Sequence, residues 1–176
     1  MLTSEDDSKV WPRELPALKP SAHAEFEAYA EALLVEWLRR QSLPKTRRAY
    51  SANAWFKREA YKLIKHVVEG GKLATLERIA QKDERSNRLI QDALRNPFKL
   101  GLLAMFADDS PLSRQDRNVF GNQMLFGWAH DVPPDFLNAF LAVSGGPAMV
   151  AKKLREKTPE PGFEHRFIVS RIQEAT

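Results

Sequence analysis

The chain has 176 residues, 43% of them hydrophobic and 28% charged, with a formal net charge of +4 and no cysteine. This length and balance suit one globular domain with a sizeable core. Disulfides, thiolate metal sites and a cysteine nucleophile are excluded, and no apolar run approaches the roughly 20 residues of a membrane-spanning helix.

The charge is unevenly placed. Residues 1–36 carry three Lys/Arg against eight Asp/Glu, residues 37–99 sixteen against six, and residues 100–176 eight against nine. A positive field concentrated in the middle third points to an anionic partner, either nucleic acid or an acidic protein surface. The bland alternative is a solvated basic face without a partner.

In chain order, residues 1–20 hold Pro12, Pro16 and Pro20 and no periodic apolar pattern. They read as an acidic, flexible tail ahead of one helical domain over 21–176. The N-terminus lacks the apolar stretch of a secretory signal, so a cytoplasmic location is the default. Ser21 to Gln41 reads as the first helix, with Phe26, Ala30, Leu33, Leu34, Trp37 and Leu38 as its apolar stripe. A short link with Pro44 turns the chain into an antiparallel partner.

That partner, Pro44 to Gly71, reads as one long helix or as two broken near Asn53. On a wheel of about 100° per residue, Ala54, Tyr61, Ile64 and Val68 cluster around Tyr50. The opposite side carries Arg47, Arg58, Lys62 and Lys65, with Trp55 and His66 at its far edge. Lys57 is the misfit, projecting near the apolar stripe. Trp55 has two readings: a ring that stacks on a base among cations, or a ring packed against a neighbouring helix. The fragment Leu43-Pro44-Lys45-Thr46-Arg47-Arg48-Ala49-Tyr50 resembles the helical DNA-clamping domain of tyrosine recombinases. The resemblance spans under thirty residues, and nothing downstream matches the catalytic domain of that family. It implies DNA contact by Arg47 and Arg48 but no strand cleavage, and Tyr50 reads as a core residue.

Gly70-Gly71 should cap the long helix. Leu73 to Ala80 and Leu89 to Leu94 then form two short amphipathic segments. Together, residues 73–95 resemble a helix-turn-helix, although the turn has no glycine and carries Asp83 and Arg85. One helix from Lys72 to Leu94 is the rival reading. In a helix-turn-helix, Arg85, Asn87, Arg88 and Gln91 face the groove, where Arg and Asn/Gln pair with base edges.

Phe98 to Phe106 is the most apolar stretch and should form the central helix, with Gly101 allowing a close contact. Ser113 should cap a helix from Arg114 that Gly121 and Gly127 shorten or bend. Two further helices follow, DFLNAFLAV after Pro133-Pro134 and AMVAKKLREK after Pro147. The last stretch, FEHRFIVSRIQ, fits a helix better than a strand.

The chemistry search is sparse. No two histidines stand at i, i+3 or i+4, and no nucleotide-binding or hydrolase motif occurs. His130-Asp131 reads as a surface turn, Asp108-Asp109 as a polar turn rather than a magnesium site, and Ser144-Gly145-Gly146-Pro147 as a plain turn. No metal, no cofactor and no catalytic residue is expected. The expectation is an all-α, single-domain bundle of about seven helices. It is non-enzymatic and binds nucleic acid, DNA first, through Arg47, Arg48, Trp55, Arg58, Lys62, Lys65, Arg85, Asn87 and Arg88. The competing expectation is a small regulatory or inhibitory protein, of the phage or mobile-element accessory kind, that docks on the acidic surface of another protein.

Overall fold

The computed structural model describes residues 23–43, 51–82, 87–106 and 111–175, the side chains of His23 and Asn87 excepted. The acidic tail, the recombinase-like fragment beyond Leu43, Arg85 and Asp108-Asp109 lie outside them. Among the described residues there is no strand. The elements are α1 (His23–Ser42), α2 (Ala52–Glu69), α3 (Leu73–Lys82), α4 (Asn87–Leu94), α5 (Pro97–Met105), α6 (Arg114–Ala129), α7 (Leu137–Val143), α8 (Gly146–Glu156) and α9 (Val169–Glu174). Single 3-10 turns at Pro134–Phe136 and Glu164–Arg166 precede α7 and α9.

The apolar run makes α5 the hub. With no polar face, it must be surrounded, and α1, α2, α3, α4 and α6 all pack on it. Every α5 residue is buried except half-buried Lys99. Asn96 positions its start: Oδ1 accepts from the Phe98 and Lys99 amides at 3.0 and 3.2 Å, and Nδ2 donates to the Gly121 carbonyl at 3.2 Å. Both ends of this buried amide are satisfied, as burial requires, and α5 is thereby tied to α6. Gly101 faces Ile64 so closely that a Cβ there would stand 2.6 Å from Ile64 Cγ1.

The apolar stripe of α2 is met in part: Tyr61 and Ile64 are fully buried, with Ala60 and nearly buried Val67 beside them, but Ala54 and Val68 are half-buried, and the inner face reaches round to Phe56 and Leu63. α2 starts later than Pro44, at Ala52, because the Ser51 hydroxyl accepts from the Ala54 amide at 3.1 Å and caps it there. At its other end Gly71 takes φ +70°, and the Lys72 amide returns to the Val67 carbonyl at 3.0 Å. That left-handed turn is the expected glycine stop.

α6 is capped as expected. Ser113 Oγ accepts from the Asp116 amide at 3.1 Å and donates to its carboxylate at 2.8 Å. It is not short, however, and runs unbroken for 16 residues. Its glycines are contact points, Gly121 under the Lys99 stem and backbone and Gly127 under the Leu137 side chain. Close approach of α5 and of Leu137 from α7 outweighs the weak helix propensity of glycine. A continuous core then runs from Phe26 in α1 to Ala175 beyond α9.

Candidate nucleic-acid interface

α2 does not present a free basic face. α1, α5, α6 and α7 all pack on it, so the edges of its basic stripe are covered. Trp55 is only 6% exposed, and the Arg40 guanidinium sits over its ring at 4.6 Å. The base-stacking reading of Trp55 is therefore corrected: a neighbouring helix already takes its face. Arg40 is itself held 2.6 Å from Glu36, which also accepts two 2.7 Å bonds from Arg39. Those Arg39 bonds, with Arg40 beside them, hold the Glu36 carboxyl below the usual carboxylate range despite its burial.

The other α2 cations are drawn inward too. Arg58 donates to buried Glu59 at 2.7 Å. Lys65 has a side chain only 16% exposed and lies 3.8 Å from both Glu69 and Asp131. Lys62 is half-buried and is not a free cation. Lys57, the misfit, donates to Gln123 at 3.1 Å and lies over the Phe120 ring; burial pushes its pKa down. Arg39, Arg40, Lys57, Arg58 and Lys65 of α1 and α2 are thus each engaged within the protein.

The second candidate region keeps its charge outside. α3 and α4 are separate helices, packed on each other and on α5. Buried Ile90 and Ala93 seat α4, with half-buried Leu89 and Leu94 beside them. Arg88 and Gln91, at i and i+3, are exposed along its outer face with Asp92 beside them, and Arg95 is exposed in the turn after it. Arg114 of α6 lies 3.4 Å from Asp92 and extends this surface. Half-buried Lys99 and buried Arg117 line a cleft of about 40 Å³ under it. That volume holds a few waters, well below the roughly 300 Å³ at which small-molecule pockets begin. Arg47, Arg48, Arg85 and the side chain of Asn87 lie outside the described residues. Of the predicted contacts among the described residues, Arg88 and Gln91 are the two whose side chains stand in the open. Arg95 was missed, although its i+7 spacing from Arg88 was legible.

The densest cluster of reactive side chains lies elsewhere and is structural. His130 was expected in a surface turn but is fully buried; only Asp131 reaches solvent. The Glu160 amide donates to His130 Nε2 at 2.9 Å, so the ring proton is on Nδ1, which donates to the Phe126 carbonyl at 2.8 Å. Phe126, Phe140 and Phe167 surround the ring. Lys153 bridges Glu160 at 2.5 Å and the Ser144 carbonyl at 3.1 Å, while the Ser144 hydroxyl donates to Phe140. Each group is occupied by a partner that fixes the chain after α8 onto α6. Among the described residues no group of three or more His, Asp or Glu is placed to hold a metal ion, and no helix is long and apolar enough to cross a membrane.

No family model, curated protein or solved structure matches the chain.

Proposed function

We propose that the protein is a non-enzymatic binding module that engages nucleic acid, duplex DNA first, through α4 and the α6 start beside it. The observation that carries this reading is the outer face of α4. Arg88 and Gln91 stand exposed on one face of a helix seated by Ile90 and Ala93, and Arg95 is exposed in the turn that follows it. Arg and Gln at such positions pair bidentately with guanine and adenine edges. Arg114 adds a cation for the backbone, and phosphate contacts supply most of the affinity of such interfaces. The α2 stripe contributes little to this reading, since Arg58, Lys62 and Lys65 are half-buried whereas Arg114 is exposed.

Fluorescence anisotropy on a labelled duplex, repeated across salt concentrations, tests it. Up to three phosphate contacts, from Arg88, Arg95 and Arg114, predict a log K against log salt slope of roughly −2 to −3. Arg88→Glu with Arg95→Glu should flatten that slope and weaken low-salt binding at least tenfold. Both sites are exposed, so melting should hardly move. Absence of DNA and RNA binding at low salt, with a nuclease-resistant complex with one protein, replaces this reading with docking on an acidic protein surface.

A further inference from the structure

Where α4, α5 and α6 meet, the small cleft under the α4 face gathers cations. Lys99, Arg114 and Arg117 line it together with exposed Asn118, and Asp92 is the one carboxylate on its walls. Three positive charges against one negative leave an excess of two. Asp116, the other carboxylate on this turn of α6, does not line the cleft and accepts from the Ser113 hydroxyl. Buried Leu103 forms part of an apolar wall behind the cations. Low-dielectric walls of this kind focus the field of the charges they back.

Lys99 is the informative member. It is the only polar residue of α5 and is half-buried. Its stem lies against the α6 backbone at Gly121, with no room for a Cβ between them, so the ammonium is held at the cleft. Burial pushes its pKa down, with Asp92 opposing. Lys57, Lys65 and Lys153 are half-buried too, and each has a partner, in Gln123, Glu69 and Glu160. The Lys99 ammonium has no hydrogen-bond or ion-pair partner among the described residues. A charge withdrawn from water without a partner is costly. Arg114 spends one donor on Asp92 at 3.4 Å, and its side chain is 58% exposed; the other donors of its guanidinium remain. Arg117 has an interaction of its own and contributes charge here.

We propose that this cleft binds one tetrahedral oxyanion, a phosphate group, with the Lys99 ammonium and the Arg114 guanidinium as donors and the Asn118 amide at the rim. Size and charge agree. A cleft of about 40 Å³ has room for about three waters, and the oxygens of a phosphate take the places of those waters. A terminal phosphate carries about −1.5 to −2 and a backbone phosphate −1, both within the excess of the cleft. The same excess repels metal cations and amines. Two sources carry this group: the sugar-phosphate backbone of a nucleic acid, and free phosphate or a phosphorylated small molecule. The cleft stands on its own lining residues; only the backbone as source rests on the nucleic-acid reading.

The test titrates the isotope-labelled full chain with inorganic phosphate and follows its amide resonances. Chloride and acetate at matched ionic strength are the controls. Phosphate should shift the Asn118 signals saturably, and the controls should not. Lys99→Met keeps the stem against Gly121 and removes the ammonium. It should weaken phosphate at least about tenfold and leave the melting temperature unchanged or raised, since a half-buried charge is gone. Should that variant fail to fold, Arg114→Gln, at an exposed site, should still weaken phosphate severalfold. Lys152→Gln, on distant α8, should change nothing. Duplex DNA separates the sources. If duplex displaces phosphate from the cleft, the nucleic-acid backbone is the source. If phosphate stays bound beside duplex, or duplex does not bind, the source is a free phosphate compound; the second result ends the nucleic-acid reading and leaves the cleft standing. Shifts shared with acetate or chloride, no saturable shift, or shifts that Lys99→Met leaves unchanged overturn the proposal, whether or not duplex binds through Arg88.

Discussion

His130 shows how burial turns one side chain into a pH-dependent contribution to stability. Burial pushes its pKa below the ordinary 6.5 and Lys153 pushes the same way, against the Phe126 carbonyl and Glu160. The folded protein therefore keeps the ring neutral at pH values where the unfolded chain has already protonated it. The unfolded state then binds more protons, so stability rises with pH across that window. The contribution is complete above about pH 6.5 and is lost as pH falls toward the folded-state value. Protonation would also aim a second donor at the Glu160 amide. Thermal unfolding between pH 7.5 and 5.5 should show the loss. His130→Gln should be less stable at pH 7.5 by about 1–3 kcal/mol and lose less on acidification; equal losses in both proteins would assign the effect to other groups. Arg58 gives a second prediction. By helical spacing alone, Arg58→Glu changes only a surface. Beside buried Glu59 it sets two carboxylates together, and should cost about 1–3 kcal/mol. Adding Glu59→Gln should recover part of that loss in chemical denaturation.

At the scale of elements, glycine contacts decide how the helices seat. Gly101→Ala would gain about 0.5–1 kcal/mol in helix propensity. It would also drive a methyl into fully buried Ile64, 2.6 Å away, and overpacking costs about 1–3 kcal/mol. Net destabilisation is expected. Ile64→Ala alone should cost about 2–5 kcal/mol by leaving a cavity. Together the two changes should cost less than their sum, since the new methyl fills part of that cavity. Denaturant unfolding of the four proteins in the cycle measures this; simple additivity would mean that α2 and α5 move apart instead. The caps Ser113 and Gly71 were readable in advance because they act through neighbours in the chain. The helical continuity of α6 was not, since the partners of Gly121 and Gly127 come from α5 and α7.

At the scale of the molecule, the core links α1 to the end of α9 through shared aromatic contacts. Trp37 stacks on Phe56 at 4.1 Å, and Trp128 meets Phe98 edge-on at 5.7 Å. Trp128 also donates to Glu69 at 3.1 Å and lies beneath Arg171 of α9. With Trp37, Trp55 and Trp128 in one core, tryptophan fluorescence and far-ultraviolet circular dichroism should report a single transition at the same denaturant midpoint. The circular dichroism spectrum should be that of a mainly helical protein. Separated midpoints would mean that the region around α9 unfolds on its own.

The sequence by itself determined the helical architecture and the inner face of α2, down to buried Tyr61 and Ile64. It also located the central helix, the stop at Gly71 and the cap at Ser113 that starts α6. These features follow from apolar spacing and local hydrogen bonding, which are written within a few residues of one another. Only the tertiary structure decided which polar groups remain available. Arg40 on Trp55, and Asp131 beside Lys65, remove cations that helical spacing alone exposes. Glu160 claims His130 from 30 residues away. Arg88 on α4, and Phe136 and Val143 at the outer face of α7, stay exposed. Helical periodicity gives each side chain an angle about its own axis, and packing between distant elements decides what stands at that angle.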